Sequence, residues 1–472
     1  MNCLPKLVSI GSFIGLFPVG AGQCVAGVAV CVVAANQPNF RLLLVAVHEN
    51  GPMLATLRRS LFFRRISLNS IWLFLARATS QGLMMIFVII VARYLGERGL
   101  GQYAFISSVV FLGNVLTTFG MDTFLIREIG RLRHTDTPVI PAALVIQLIL
   151  ATGYLLLVQV GSGLLPRQLP ETIVALRWYS LALWPLAFTT IFSAILRAYE
   201  RMDLYWWLQG GTAVFQTIGT FFLLTQGGKL FSLIIFLLIT QSVSALLAGW
   251  LCVHYLPNFH FRLHIQGAPL RQIWRAGWVL AWLAVLALIY QRLGVFVLAL
   301  TAGEAETGWF TAATRLADAL KLLPYAFFGA LFPVMSRAAY KTDSDFSPRL
   351  YRLAFVALLF VTLVLAGGIT WLAAPLVDWL FGAGYEPSIP LVRTLVWSVP
   401  PFLFSLRYSF ELVATGKEQM ALRAMIWTLG ITAVFFLTFT FLFGLTGAGW
   451  AVVLGETAQA LILWQFWTKI AT

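Results

Sequence analysis

Ionised residues are scarce in this chain: Asp, Glu, Lys and Arg make up 11% of its 472 residues. Soluble domains carry about 25%, so a water-exposed globule of this length is excluded. Cysteine is nearly absent. Cys3, Cys24, Cys31 and Cys252 have the spacing of neither a metal site nor a disulfide framework. Long polar segments are missing too, which leaves no room for an ATP motor or a second soluble domain. The glycine-rich "GERGLG" and "GGKL" are not followed by Gly-Lys-Ser/Thr, so neither is a phosphate loop. There is no Gly-x-Ser-x-Gly and no metalloprotease helix, and no cofactor is expected.

Apolar residues fill the space that charge leaves, at 60% of the chain. From residue 68 onward, twelve apolar stretches lie near 68–92, 103–122, 138–160, 173–196, 203–225, 231–254, 276–301, 308–333, 352–380, 388–415, 418–443 and 447–468. Each is long enough to cross about 30 Å of hydrocarbon as a helix. The alternating segments of about ten residues that build a transmembrane barrel are absent. The expectation is an all-α polytopic membrane protein with twelve transmembrane helices.

The formal net charge of +14 is distributed unevenly. With the residues ahead of the first helix placed inside, nineteen Lys and Arg from Arg58 onward fall in cytoplasmic loops and ends. Only Arg93, Arg98, Arg167 and Lys229 fall outside. The positive-inside rule then puts both ends of the twelve-helix unit in the cytoplasm of a cell (inner or plasma) membrane. The basic surplus is a topology signal and requires no nucleic acid. Residues 1–60 read as an N-terminal extension, either an extra apolar segment or translation from upstream of the natural start. Met53 opens the basic "LATLRRSLFFRRISLNS" that suits an inside N-terminus.

A polar turn recurs at half the length of the chain. "GERGLGQY" (Gly96, Glu97, Gly101, Tyr103) and "GEAETGWF" (Gly303, Glu304, Gly308, Phe310) match at a constant offset of 207 residues. Each joins the first two helices of a six-helix half. A weaker echo pairs Gly120 with Gly329. Internal similarity at half length marks a transporter built from two repeats. Six helices per half make the repeats parallel, with an N-lobe over 61–256 and a C-lobe over 257–472.

The ordered stretches "NSIWLFLARATSQ", "VARYLGERGLGQYAFISS", "FGMDTFLIREIGR", "ILRAYERMDLY", "GWFTAATRLADALKLLPYAFFGALFPVMSR" and "FGAGYEPSIPLV" also carry a resemblance. Over roughly residues 64–468 the chain resembles the polysaccharide transporter, or lipid-linked oligosaccharide flippase, family of the MOP exporter superfamily. The resemblance implies a V-shaped, MATE-like molecule with two lobes around a central cavity. It also implies transfer of an undecaprenyl-diphosphate-linked glycan of O-antigen type from the inner to the outer leaflet for cell-surface polysaccharide synthesis. Membrane lipids, a polysaccharide polymerase and glycosyltransferases would be its partners.

Ionisable residues inside spans cost at least about 2.5–3.5 kcal/mol at a helix centre and normally face a wet cavity or a partner. Arg77, Arg292, Arg315 and Arg407 are therefore expected to line a cationic cavity that binds diphosphate, since a guanidinium offers a fork of donors that matches phosphate oxygens. Asp318, Glu411 and Glu456 are candidates for coupling to H+ or Na+. Asp122, Lys321 and Arg393 also lie within spans, and Arg177 lies nearer the outer end of its helix. Arg393, Arg407 and Glu411 are spaced to share one helix face, and Arg315 is three residues from Asp318, as a structural ion pair would be. Pro185, Pro324, Pro375, Pro400 and Pro401 are expected to kink their helices. The Asp343-x-Asp345 pattern sits in a loop too short for a nucleotide-binding domain, and His260 with His264 lacks further ligands. The leading expectation is a flippase and not an enzyme. The alternatives are a cation-coupled multidrug or small-molecule exporter of the same superfamily, or an integral glycan polymerase or ligase.

Overall fold

With no water in the hydrocarbon core, long apolar runs can satisfy their own backbone groups only as helices. The computed structural model describes residues 29–30, 46–47, 52–132, 139–164, 168–256, 268–340, 348–415 and 417–471, with side chains from residue 79 for most of them. It falls into two units, Met1–Leu68 and Asn69–Thr472. In the first unit two short strands, β1 (Ala29–Val30) and β2 (Ala46–Val47), pair antiparallel.

The second unit is helical among its described residues. Its first half comprises α1 (Pro52–Thr118, begun in the first unit), α2 (Met121–Leu132), α3 (Val139–Gly161), α4 (Pro170–Ser180), α5 (Leu183–Ala198), α6 (Met202–Thr225) and α7 (Leu230–Tyr255). The second half comprises α8 (Ala268–Thr301), α9 (Glu304–Tyr340), α10 (Pro348–Trp371), α11 (Ala373–Phe381), α12 (Ser388–Leu395), α13 (Val399–Ala414) and α14 (Glu418–Ala471).

Two of these helices are hairpins. Phe87 and Tyr103 on α1 have ring centroids 5.2 Å apart, whereas sixteen residues of straight helix would separate them by about 24 Å. The chain reverses at Gly96, whose φ of 68° suits a residue without a Cβ. Likewise, Gln459 Nε2 reaches Met425 Sδ at 3.8 Å, because α14 reverses at Gly444 (φ 58°). Apart from short breaks, the described residues of the twelve expected stretches are helical. By length and hydropathy seven helices qualify as spans, or eight with the bent pair Thr79–Thr118 and Met121–Gly130. One of these, Gln419–Lys469, is 51 residues long and folds back on itself at Gly444.

Prolines act where they were expected, with one exception. Pro185, Pro375, and Pro400 with Pro401 each lie in the first three residues of a helix that restarts just after a break. The proline ring clashes with the carbonyl four residues earlier, so the preceding turn cannot stay α-helical. Pro324 leaves α9 continuous. The weaker echo is not one of geometry. Gly120 sits at the break between α1 and α2 with φ 69°, whereas Gly329 lies within α9.

The repeated turns meet each other. A Cβ added at Gly101 would overlap the carbonyl oxygen of Glu304, and one added at Gly308 would overlap that of Glu97. Residue i of one half touches residue j of the other, and the equivalents of j and i touch in return. This is the signature of a two-fold-like relation between halves. Around this contact one hydrophobic core runs across the seam, from Phe87, Leu100 and Leu183 to Leu298, Phe310 and Leu391. At the opposite ends of the helices the cores are separate. One belongs to the first half (Met121, Leu125, Ile195, Leu251) and another to the second (Phe328, Phe355, Leu403). The two halves thus share one core at one end and have separate cores at the other. α8 packs on α2 and α3 across the divide.

Candidate functional site

Two of the predicted arginines come together at the seam. Arg292 projects from α8 and Arg315 from α9, and each lies within electrostatic reach of Tyr103 on the second arm of α1. The Arg292 guanidinium stands 5.9 Å from the ring centroid of Phe111 on that same arm. Neither arginine has an ion-pair partner among the described residues, and Arg315 Nε is buried without a hydrogen bond. Arg292 is itself within reach of Arg315 and Asp318. Two partly buried, like-charged groups held beside a phenol and a phenyl ring can bind an anion bidentately. The expected helix-internal pairing of Arg315 with Asp318 does not form, and Asp318 is exposed.

Arg407, Glu411, Lys321, Glu456 and Asp122 are paired locally. Arg407 Nε donates to Glu411 Oε1 at 3.0 Å, and its guanidinium stacks 4.9–5.7 Å from the rings of Phe355, Tyr351 and Tyr408. Tyr351 donates to the same carboxylate at 3.1 Å. Lys321 Nζ donates to Glu456 Oε1 at 2.8 Å, joining α9 to the second arm of α14. The ammonium lies 4.9 Å from the Phe402 ring centroid, Tyr290 faces the carboxylate, and Glu456 Oε2 is buried with no partner. Asp122 pairs with Arg197 at 3.4 Å. Arg77 lies on α1, outside the residues whose side chains are described. So do the His260/His264 and Asp343/Asp345 segments.

The expected common face of Arg393, Arg407 and Glu411 is interrupted. A 3-10 turn at Val396–Ser398 separates α12 from α13, and its three residues per turn rephase everything beyond it. Arg393 is exposed. Lys321 as the partner of Glu456 is a residue that sequence reasoning missed, because 135 positions separate the two and no local spacing signals the pair. The Arg407–Glu411 pair did carry a signal in its i,i+4 spacing.

A helical, two-half architecture of this kind is that of a polytopic membrane fold, and solved structures share it. The lipid II flippase MurJ in an inward closed conformation aligns with a TM-score of 0.69 at 16% identity, covering 85% of this chain and 87% of MurJ. An inward-facing multidrug resistance MATE family transporter of the MOP superfamily gives 0.66 at 18%, covering 82% and 94%. A MOP superfamily transporter from Pyrococcus furiosus, described as having a binding pocket of reversed polarity, gives 0.62 at 16%, covering 86% and 95%. At these identities the likeness establishes the fold. No curated protein matches the chain in sequence. A family model described as polysaccharide biosynthesis protein matches residues 66–339, more than half the chain. The chain belongs to that family, as a multi-pass membrane protein.

Proposed function

We propose that this protein flips a lipid-linked oligosaccharide, of the undecaprenyl-diphosphate type, from the inner to the outer leaflet of the cell membrane by alternating access. The observation that carries this reading is the Arg292–Arg315 pair at the seam between the halves, two guanidiniums that form no salt bridge among the described residues. A diphosphate supplies the missing negative charge. The glycan hydroxyls, each costing several kcal/mol in bare hydrocarbon, would pass through a polar cavity between the halves while the lipid tail stays in the bilayer. Both ends of the twelve-helix unit lie in the cytoplasm in this reading, where glycosyltransferases would complete the substrate. A polymerase would use the product on the outer side.

Arg407, Glu411 and Glu456 already have resident partners. Asp318, exposed and within reach of Arg292 and Lys321, is therefore the acid best placed to exchange a coupling proton or sodium ion.

The test is transport of a fluorescent lipid-diphosphate-linked glycan in proteoliposomes. Charge-assisted hydrogen bonds contribute about 1.5–3 kcal/mol each, so Arg292→Ala and Arg315→Ala should each slow flipping roughly ten- to a hundredfold. Wild-type rates from both variants would remove the assigned site. Drug-driven transport without glycan transport would favour the exporter reading.

A further inference from the structure

Several arginines near the helix ends have resident acceptors. Arg197 pairs with Asp122 and Arg201 with Asp203, while Arg93 donates to the last carbonyls of α11, those of Leu380 (2.9 Å) and Trp379. Arg177 on α4 is different. Its Nε donates to Ser162 Oγ at 2.9 Å, and that hydroxyl donates onward to the Gln159 carbonyl at 3.2 Å. The guanidinium is thereby held over the 3-10 turn Ser162–Leu164, with Nη2 3.8 Å from where a Cβ of Gly163 would stand. A guanidinium has five N–H donors. The four on the Nη atoms of Arg177 make no hydrogen bond or salt bridge among the described residues. Glu171, the acid in the first turn of α4, is six residues away, about 9 Å along the helix axis. The surroundings are apolar and open. Val160 and Leu164 are 77% and 84% exposed, and Val174 and Trp178 are exposed beside them. Trp178 packs edge-on against Phe231 of α7, with ring centroids 6.2 Å apart. Lys229, exposed and also without a salt bridge among the described residues, stands two residues before Phe231 at the start of α7. Tryptophan near the end of a span sits at headgroup level. Two cations and an interfacial indole thus adjoin an apolar ridge that faces acyl chains.

From this arrangement we propose that Arg177 and Lys229 hold the phosphate of an anionic phospholipid, whose acyl chains lie along Val160, Val174 and Phe231. The site is in the leaflet at the shared-core end, the outer one in the orientation given above. The fork of Nη donors matches two phosphate oxygens. Lys229 adds a second positive charge, which disfavours a zwitterionic lipid because that lipid's own cation would face it. Ser162 uses one N–H to orient the fork, and the bare Gly163 leaves the rest open to the ligand. The scaffold beneath is fixed, since Gln159 Nε2 and Ser180 Oγ both donate to the Arg177 carbonyl, at 3.0 and 2.7 Å. The phosphate therefore lands where α3 is tied to α4. This site does not depend on what the protein transports.

Native mass spectrometry of the full chain, delipidated in detergent and titrated with lipid, resolves each bound molecule. One phosphatidylglycerol should bind about tenfold more tightly than phosphatidylcholine. Arg177→Gln and Lys229→Gln should each weaken that event about tenfold, the scale of one lost charge-assisted hydrogen bond, and leave phosphatidylcholine binding unchanged. Gly163→Leu keeps the Arg177–Ser162 bond but covers the guanidinium, and should weaken phosphatidylglycerol equally. If Arg177→Gln does not fold, Gly163→Leu and Lys229→Gln decide the matter. Excess glycerol phosphate, the headgroup without its chains, should not displace the lipid. Equal affinity for the two lipids would overturn the site, as would wild-type phosphatidylglycerol binding in Gly163→Leu and Lys229→Gln. Displacement by glycerol phosphate would overturn a lipid as its occupant.

Discussion

At the scale of single residues, the molecule separates its charges into two kinds. Lys321–Glu456 and Arg407–Glu411 are closed accounts of charge, each cation held by a carboxylate and an aromatic face. Arg292 and Arg315 form no salt bridge among the described residues. The distinction can be measured. Removing one partner of a buried pair strands the other, at about 3–5 kcal/mol, whereas replacing both with apolar residues of similar size is often close to neutral. Lys321→Met or Glu456→Leu alone should therefore lower thermal stability in detergent sharply, and the double variant should recover most of the loss. Arg292→Met should be tolerated or mildly stabilising, because it relieves repulsion from Arg315. A melting series over these variants checks the contrast, and equal destabilisation at Arg292 and Lys321 would contradict it. Asp318→Asn, by contrast, should leave stability unchanged and reduce ion-gradient-driven flipping about tenfold, which equals the loss of roughly 1.4 kcal/mol. That would be read as rate against an imposed pH or sodium gradient.

At the scale of elements, glycine and proline placed the interruptions, and most were legible in advance. Pro185, Pro375 and Pro400 mark helix restarts because a missing N–H and a steric clash act locally. Gly96 was legible as a turn from its repeat, and the apolar stretches around it predicted two separate helices. The Arg393–Arg407 face was misread because a single 3-10 turn rephases a helix without any residue that sequence periodicity can detect. A position with φ near 60° costs an ordinary side chain about 1–2 kcal/mol, a cost glycine escapes. Gly96→Val and Gly444→Val should accordingly destabilise the protein, while Gly329→Val, inside α9 with open space around its Cβ position, should have little effect. Detergent melting temperatures of the three variants test the ranking.

At the scale of the whole molecule, the sequence offset of 207 showed that the two turns are equivalent but could not show that they touch. Equivalence is a property of the repeat, whereas contact is a property of the axis that relates its copies. The structure supplies the axis: reciprocal glycine–carbonyl contacts, a core shared at that end, and divided cores at the other. A consequence follows for assembly. The halves are joined through the segment at 257–267, yet the shared core holds them together independently of that link. Co-expressed fragments ending and beginning within this segment should copurify in mild detergent and retain flipping. Leucine at both Gly101 and Gly308 should separate them, because side chains of that size cannot fit where even a Cβ overlaps backbone. Fragments that copurify equally well with both leucines in place would mean that the divided end, bridged by α8 against α2 and α3, is what holds the halves together.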